Sequence, residues 1–187
     1  IPSIRKVRRF AEPARDDAWG GSDFTFGDVT LRKPKHDNHE LLGKTKFAGC
    51  LGVMKDVKRN KYTQNAKIEA DCSVDGKEVY KLKSTANTAN WWYDHRISLI
   101  DAKTFADYRT EYFKGGKHIK TIDRSWAPAN LDDPRASYWG YWYGKTNTTG
   151  HETMAFIPST ITKVNHKYKA KNLWSTRTLK KMPKKIK

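Results

Sequence analysis

The longest run of apolar residues and glycine in this 187-residue chain, Phe47 to Met54, covers eight residues, whereas a membrane-crossing helix needs about 20. A helical span is thereby excluded, and any core must be assembled from short apolar patches brought together by folding. Only 37% of the residues are hydrophobic and the mean hydropathy is -0.87, enough for one modest core in a chain of single-domain length. Seven Trp and nine Tyr argue for a folded chain, because disordered segments are poor in aromatic residues.

The net charge of +17 is unevenly spread. Residues 1–15 carry five Lys or Arg against Glu12, and residues 163–187 carry ten with no acid, while 22 basic and 19 acidic residues share the body. A near-neutral body with two basic ends suggests arms lying on an acidic partner, which charge alone leaves open between RNA, anionic lipid and protein. A self-repelling arm such as Lys180 to Lys185 is ordered only when a partner holds it. A chain that starts at Ile1 rather than Met is read as having lost a targeting segment. Cys50 and Cys72 make neither a disulfide framework nor a zinc site, and two buried thiols are favoured over a single bridge.

Three regions are expected: an extended N-terminal arm (1–38), a small body (39–162) and an extended basic C-terminal arm (163–187). Within the first, Phe24 to Leu31 is read as a short strand. Ile68, Ala70, Cys72 and Val74 alternate with polar residues, Asp75-Gly76 supplies a turn, and Lys77 to Lys83 alternates again, the pattern of a β-hairpin. Trp91-Trp92-Tyr93 with Ile97 to Ile100 adds a strand. Asp101 is placed to cap a helix over Ala102 to Phe113, where Ala102, Phe105, Tyr108 and Tyr112 fall at helical spacing and Gly115-Gly116 ends the run. The expected fold class is therefore α+β, a small antiparallel sheet with one short helix and long extended basic termini.

No constellation demands chemistry. His36 and His39 lack the remaining ligands of a metal site. Asp94-His95 with Asp101, and Asp107 with Glu111, have no accompanying nucleophile or metal motif and read as solvated or Lys-paired carboxylates. Gly49 to Gly52 and Gly43-Lys44-Thr45 miss the phosphate-loop spacing, and Asn147-Thr148-Thr149 has the form of a glycosylation sequon without other secretory signs. The expectation is a protein that is no enzyme, with no cofactor and no metal. Lys167-Tyr168-Lys169 and Leu173 to Arg177 interleave basic and aromatic residues, suiting either RNA phosphates and bases or pockets of a partner protein.

Four segments in order resemble one family. Ala48 to Gly52 with Asp56 and Asn60-Lys61-Tyr62-Thr63-Gln64-Asn65, then Tyr108 to Tyr112, then Asp123 to Pro128 with Tyr138 to Trp142, and finally Asn165-His166-Lys167-Tyr168 with Trp174 to Arg177 are similar to the roughly 17 kDa accessory-subunit family of mitochondrial respiratory complex I, the NADH:ubiquinone oxidoreductase. Thr63 and Gln64 depart from the family pattern. The resemblance implies a structural, non-catalytic subunit of the electron-transport chain, bracing the peripheral arm near its iron–sulfur subunits. It would sit on the matrix side of the mitochondrial inner membrane, peripheral to it and without a transmembrane segment. Its partners would be neighbouring complex I subunits, met through Asn60, Lys61, Tyr62, Trp126, Pro128, Trp139, Trp142, His166, Tyr168, Trp174 and Arg177. The alternative expectation is a structural RNA-binding protein of a mitochondrial ribosome.

Overall fold

A computed structural model describes residues 15–30, 32–58, 61, 64, 68–159 and 162. The chain divides into two units, Asp16–Thr162 and a second made of Ile1–Arg15 with Lys163–Lys187; of the second, only Arg15 is described. The first unit begins with a four-residue helix, α1 (Phe26–Val29), and a 3-10 turn, Pro34–His36. Thr25 and Asp28 cap α1 reciprocally, side chain to backbone, the capping-box arrangement. Seven strands then follow: β1 (Asp37–Lys46), β2 (Glu78–Ala86), β3 (His95–Asp101), β4 (Asp107–Lys114), β5 (Lys117–Pro128), β6 (Ser137–Thr146) and β7 (Glu152–Phe156). Each pairs antiparallel with its neighbours in sequence, so one sheet runs β1 to β7 in chain order.

The fold is thus largely β, not α+β. The expected helix over Ala102 to Phe113 is a tight turn followed by β4, in which Tyr108, Thr110 and Tyr112 are buried, Tyr108 on the opposite face from Tyr112 because the pairing with β3 slips at that residue. Asp101 caps that turn instead of a helix, its Oδ1 accepting from the backbone N–H groups of Lys103 and Thr104. Asp75-Gly76 does form a turn, yet residues 68–74 stay outside the sheet, and the partner of β2 is β1. Phe24 to Leu31 holds α1, not a strand, and residues expected to lie in an extended arm are buried in the body, Phe24 at 1% exposure.

Register fixes the two faces. On the first face Val79, Asp101, Tyr108, Asp123, Tyr141 and Tyr143 meet the incoming segment through Phe47, Leu51 and Val74. That segment is closed by a disulfide between Cys50 and Cys72, so the cysteines are bridged and not free thiols. Asp123 anchors it: its carboxylate takes two bonds of 2.7 Å from Arg109 and one of 2.6 Å from the Gly52 N–H. A side chain at Gly52 would lie 2.3 Å from the Tyr143 ring, so close approach requires glycine there. On the second face Phe24, Trp91, Tyr93, Tyr112 and Ile122 form a separate cluster with Trp92 and Trp142 packed against it.

Candidate functional site

The second face carries more charge than a core tolerates unless every charge is paired. Asp37, at the start of β1, is 4% exposed and holds two arginines: Arg32 chelates it at 2.9 and 3.0 Å, and Arg96 of β3 reaches it at 3.3 Å. Lys120 of β5 donates to Asp28 Oδ2 at 2.6 Å and lies 4.0 Å from the Trp92 ring centroid. Burial lowers its pKa, with Asp28 opposing the shift. Arg124, also of β5, pairs with Asp107 at 2.8 Å, donates to Thr110 and stacks over Trp142 at 4.3 Å. Burial also raises the pKa of Tyr93.

Between these pairs lies a cavity of about 300 Å³. Trp92, Trp126, Trp142, Tyr93 and Tyr112 give it aromatic walls, and Arg32, Arg96, Arg124, Asp28 and Asp107 give it charge. Several of its polar atoms have no partner although they are buried: Trp92 Nε1, Trp142 Nε1, Arg96 Nε, the Tyr93 hydroxyl and Asp28 Oδ1. A folded protein rarely leaves such groups unpaired, because each carries the cost of its lost hydration. Their concentration around one hollow marks it as the candidate binding site. The arrangement offers donors, cations and flat apolar surfaces.

Beside the cavity the face turns apolar. Leu41, Leu82 and Ser98 share one row across β1 to β3, and Tyr80, Ile100 and Asp107 share the next. Leu41 is 60% exposed and Phe105, stacked on Tyr80, is 63% exposed. Leu82 and Ile100 are half-buried and belong to neither buried cluster among the described residues. Asp107 lines the cavity and pairs in register with Ile100, so strip and cavity are neighbours on the sheet.

Of the residues expected from sequence to bind a partner, the structure brings Trp126 and Trp142 together at this cavity. Trp126 Nε1 donates to the Asp107 carbonyl at 3.0 Å. Trp139 lies against Trp142 at 5.5 Å between ring centroids, and Pro128 ends β5, exposed. Lys61 is an exposed turn residue. Asn60, Tyr62, His166, Tyr168, Trp174 and Arg177 lie outside the described residues. Arg32, Arg96, Arg124, Asp28, Trp92 and Tyr93 were not singled out from sequence. The one available signal was arginine inside otherwise alternating strands, at Arg96 and Arg124, next to the Trp91-Trp92-Tyr93 run. The two histidines of the dismissed metal reading are engaged elsewhere, His39 with Ser84 and Pro34 and His36 with the Lys33 N–H.

A family model described as "-like: Uncharacterized protein" matches residues 1–53, under a third of the chain. No curated protein matches. Among solved structures, the chain is similar to a putative outer membrane lipoprotein-sorting protein domain from Vibrio parahaemolyticus, with a TM-score of 0.64, 15% identity, and coverage of 96% of this chain and 63% of that one. It is similar to a DUF1329 family protein from Desulfovibrio piger (TM-score 0.56, 14% identity, 83% and 56% coverage) and to a LolA superfamily protein from Nitrosomonas europaea (0.50, 13%, 80% and 60%). The chain thus spans less than two thirds of each structure's length. These likenesses overturn the sequence resemblance to complex I: the fold is shared with these three bacterial structures. With that family fall the respiratory-chain role, the complex I partners and the matrix-side mitochondrial location, and the ribosomal RNA-binding alternative falls too. Of the matched segments, Tyr108 to Tyr112, Asp123 to Pro128 and Tyr138 to Trp142 lie in β4, β5 and β6, where they serve strand pairing and, through Tyr112, Arg124, Trp126 and Trp142, the cavity wall. The fold shared by this chain is the antiparallel sheet of outer membrane lipoprotein-sorting and LolA superfamily structures.

Proposed function

We propose that this protein is a non-enzymatic binding protein for an amphiphile, holding the acyl part of its cargo on the second face of the sheet. The observation that carries this is the adjacency, through the Ile100–Asp107 pair, of an apolar strip (Leu41, Tyr80, Leu82, Ile100, Phe105) to a cavity lined by arginines and tryptophans. A molecule with an apolar tail and a polar end matches both at once, and apolar area left open on a folded protein is usually there to be covered. The name of the similar Vibrio domain, a lipoprotein-sorting protein, points to the same class of cargo, since a lipoprotein carries acyl chains. The Cys50–Cys72 bridge favours an oxidising compartment outside the cytosol.

The test is retention of a fluorescent fatty acyl probe by the purified chain, compared with the Leu82→Asp variant. A carboxylate in the middle of the strip should weaken binding at least about tenfold, the effect of roughly 1.4 kcal/mol, and leave the fold intact by circular dichroism. A chain that retains no acyl probe, or one indifferent to the substitution, would sink the reading.

A further inference from the structure

We infer that the arginine–tryptophan cavity on the second face is a head-group site for a singly charged phosphodiester that also carries a hydroxyl. The inference rests on the amphiphile reading for the location of the tail, but charge and hydrogen-bonding capacity argue it independently. Arg32, Arg96 and Arg124 line the cavity against Asp28 and Asp107, so the lining itself holds one positive charge in excess; behind it Lys120 stands between Asp28 and Asp23, and Asp37 between Arg32 and Arg96. One compensating negative charge is what such a site lacks.

The unpartnered atoms specify the rest. Arg96 Nε and the indole nitrogens of Trp92 and Trp142 can only donate, and the Tyr93 hydroxyl can do either. They ask for a ligand rich in acceptor oxygens, as a phosphodiester is. Asp28 Oδ1 is the one member of the set that can only accept: its other oxygen already takes bonds from Thr25 and Lys120. It would repel a bare oxyanion but accept from a hydroxyl placed a few atoms away. The aromatic walls suit the carbon skeleton between the two groups. An uncharged head would leave the excess charge uncompensated, and a zwitterionic one would bring its cation among the guanidinium groups.

The experiment compares glycerophosphoglycerol, which is the free head group of phosphatidylglycerol, with vesicles of phosphatidylglycerol and of phosphatidylcholine. The chain is used unaltered and as Tyr93→Phe and Arg96→Lys. Tyr93→Phe removes a hydroxyl that makes no well-formed hydrogen bond in the free protein, although the Trp91 indole lies near enough to bear on it, so the unliganded melting temperature should hold while binding of the head group weakens about tenfold. Arg96→Lys keeps a cation for Asp37 but drops the Nε donor, and the same weakening is expected. Phosphatidylglycerol should be bound in preference to phosphatidylcholine. Equal binding of both lipids, with neither variant impaired, would overturn the head-group site and leave the amphiphile reading standing. Binding of glycerophosphoglycerol without retention of any lipid or acyl probe would do the reverse. A lower melting temperature in Tyr93→Phe with affinity unchanged would show that the hydroxyl serves the fold, and would also overturn the site.

Discussion

Asp123 joins the covering segment of the first face to the sheet, because one carboxylate that is 1% exposed serves both Arg109 and the Gly52 N–H. Asp123→Asn strands a partly buried guanidinium, and removing one partner of a buried pair costs about 3–5 kcal/mol; urea titration should show a loss of that order. The tyrosines give a pH prediction. Burial raises Tyr93, Tyr112, Tyr108 and Tyr143 above the usual phenol value of 10.0, the last two helped by hydrogen bonds to Asp101 and Glu152, and pushes Tyr141 up to about 12. In the unfolded chain these phenols ionise near pH 10, so their contribution is complete below that value and is lost as pH rises through the higher folded values. Stability should therefore fall between about pH 10 and 12, with the phenolate absorbance of these residues appearing together with unfolding. At this scale the sequence misled through charge. Asp37, Lys120, Asp123 and Arg124 sit in a near-neutral body and look solvated, yet each is buried against an opposite charge contributed by another part of the chain, which no local pattern displays.

Elements were legible where a strand stands half-buried and regular. The alternation of Lys77 to Lys83 lies almost wholly within β2, and Ile97 to Ile100 lies within β3. Helical spacing over Ala102 to Tyr112 arose because a turn with exposed Phe105 precedes a strand whose register slips between Leu99 and Ile100, so apolar residues of two different structures happened to fall three or four apart. Residues 68–74 also alternate, but they serve the first face from above: Val74 packs into the cluster there, and the Asp71 N–H donates to the Tyr141 hydroxyl at 3.1 Å. Pairing of Cys50 with Cys72 was equally hidden, since it depends on two ends of a loop meeting over the sheet. That bridge closes a loop of sequence separation 22. A chain-entropy argument assigns such a loop about 3 kcal/mol, so Cys50→Ser with Cys72→Ser should lower stability by that amount. Hydrogen exchange would then show protection lost first between residues 47 and 77.

For the whole molecule, an open sheet leaves two edge strands, β1 and β7. The β1 edge is guarded by Glu40, Lys44 and Lys46 and by an irregularity between Leu41 and Gly43, devices that keep an edge from pairing with another chain. Replacing Glu40 and Lys46 by Thr should leave the monomer folded but produce larger species in light scattering. Architecture was the least legible level, because a sheet in chain order and a small mixed fold share the same local strand signals. The site was half legible: Trp126 and Trp142 stood out as aromatics, while the charges beside them did not.

Because each strand bonds only to its predecessor and successor, every hairpin turn lies at a single seam. Opening the backbone at Gly115-Gly116 would leave two fragments that meet along β4 and β5, and again where the covering segment bonds Asp123 and Tyr141 and where Asp28 bonds Lys120, with the cavity divided between them: Arg96 and Asp107 on one piece, Arg124 and Trp142 on the other. If the cavity holds cargo as proposed, such a pair would reassemble as a split receptor, its rejoining favoured by whatever fills the hollow between the pieces.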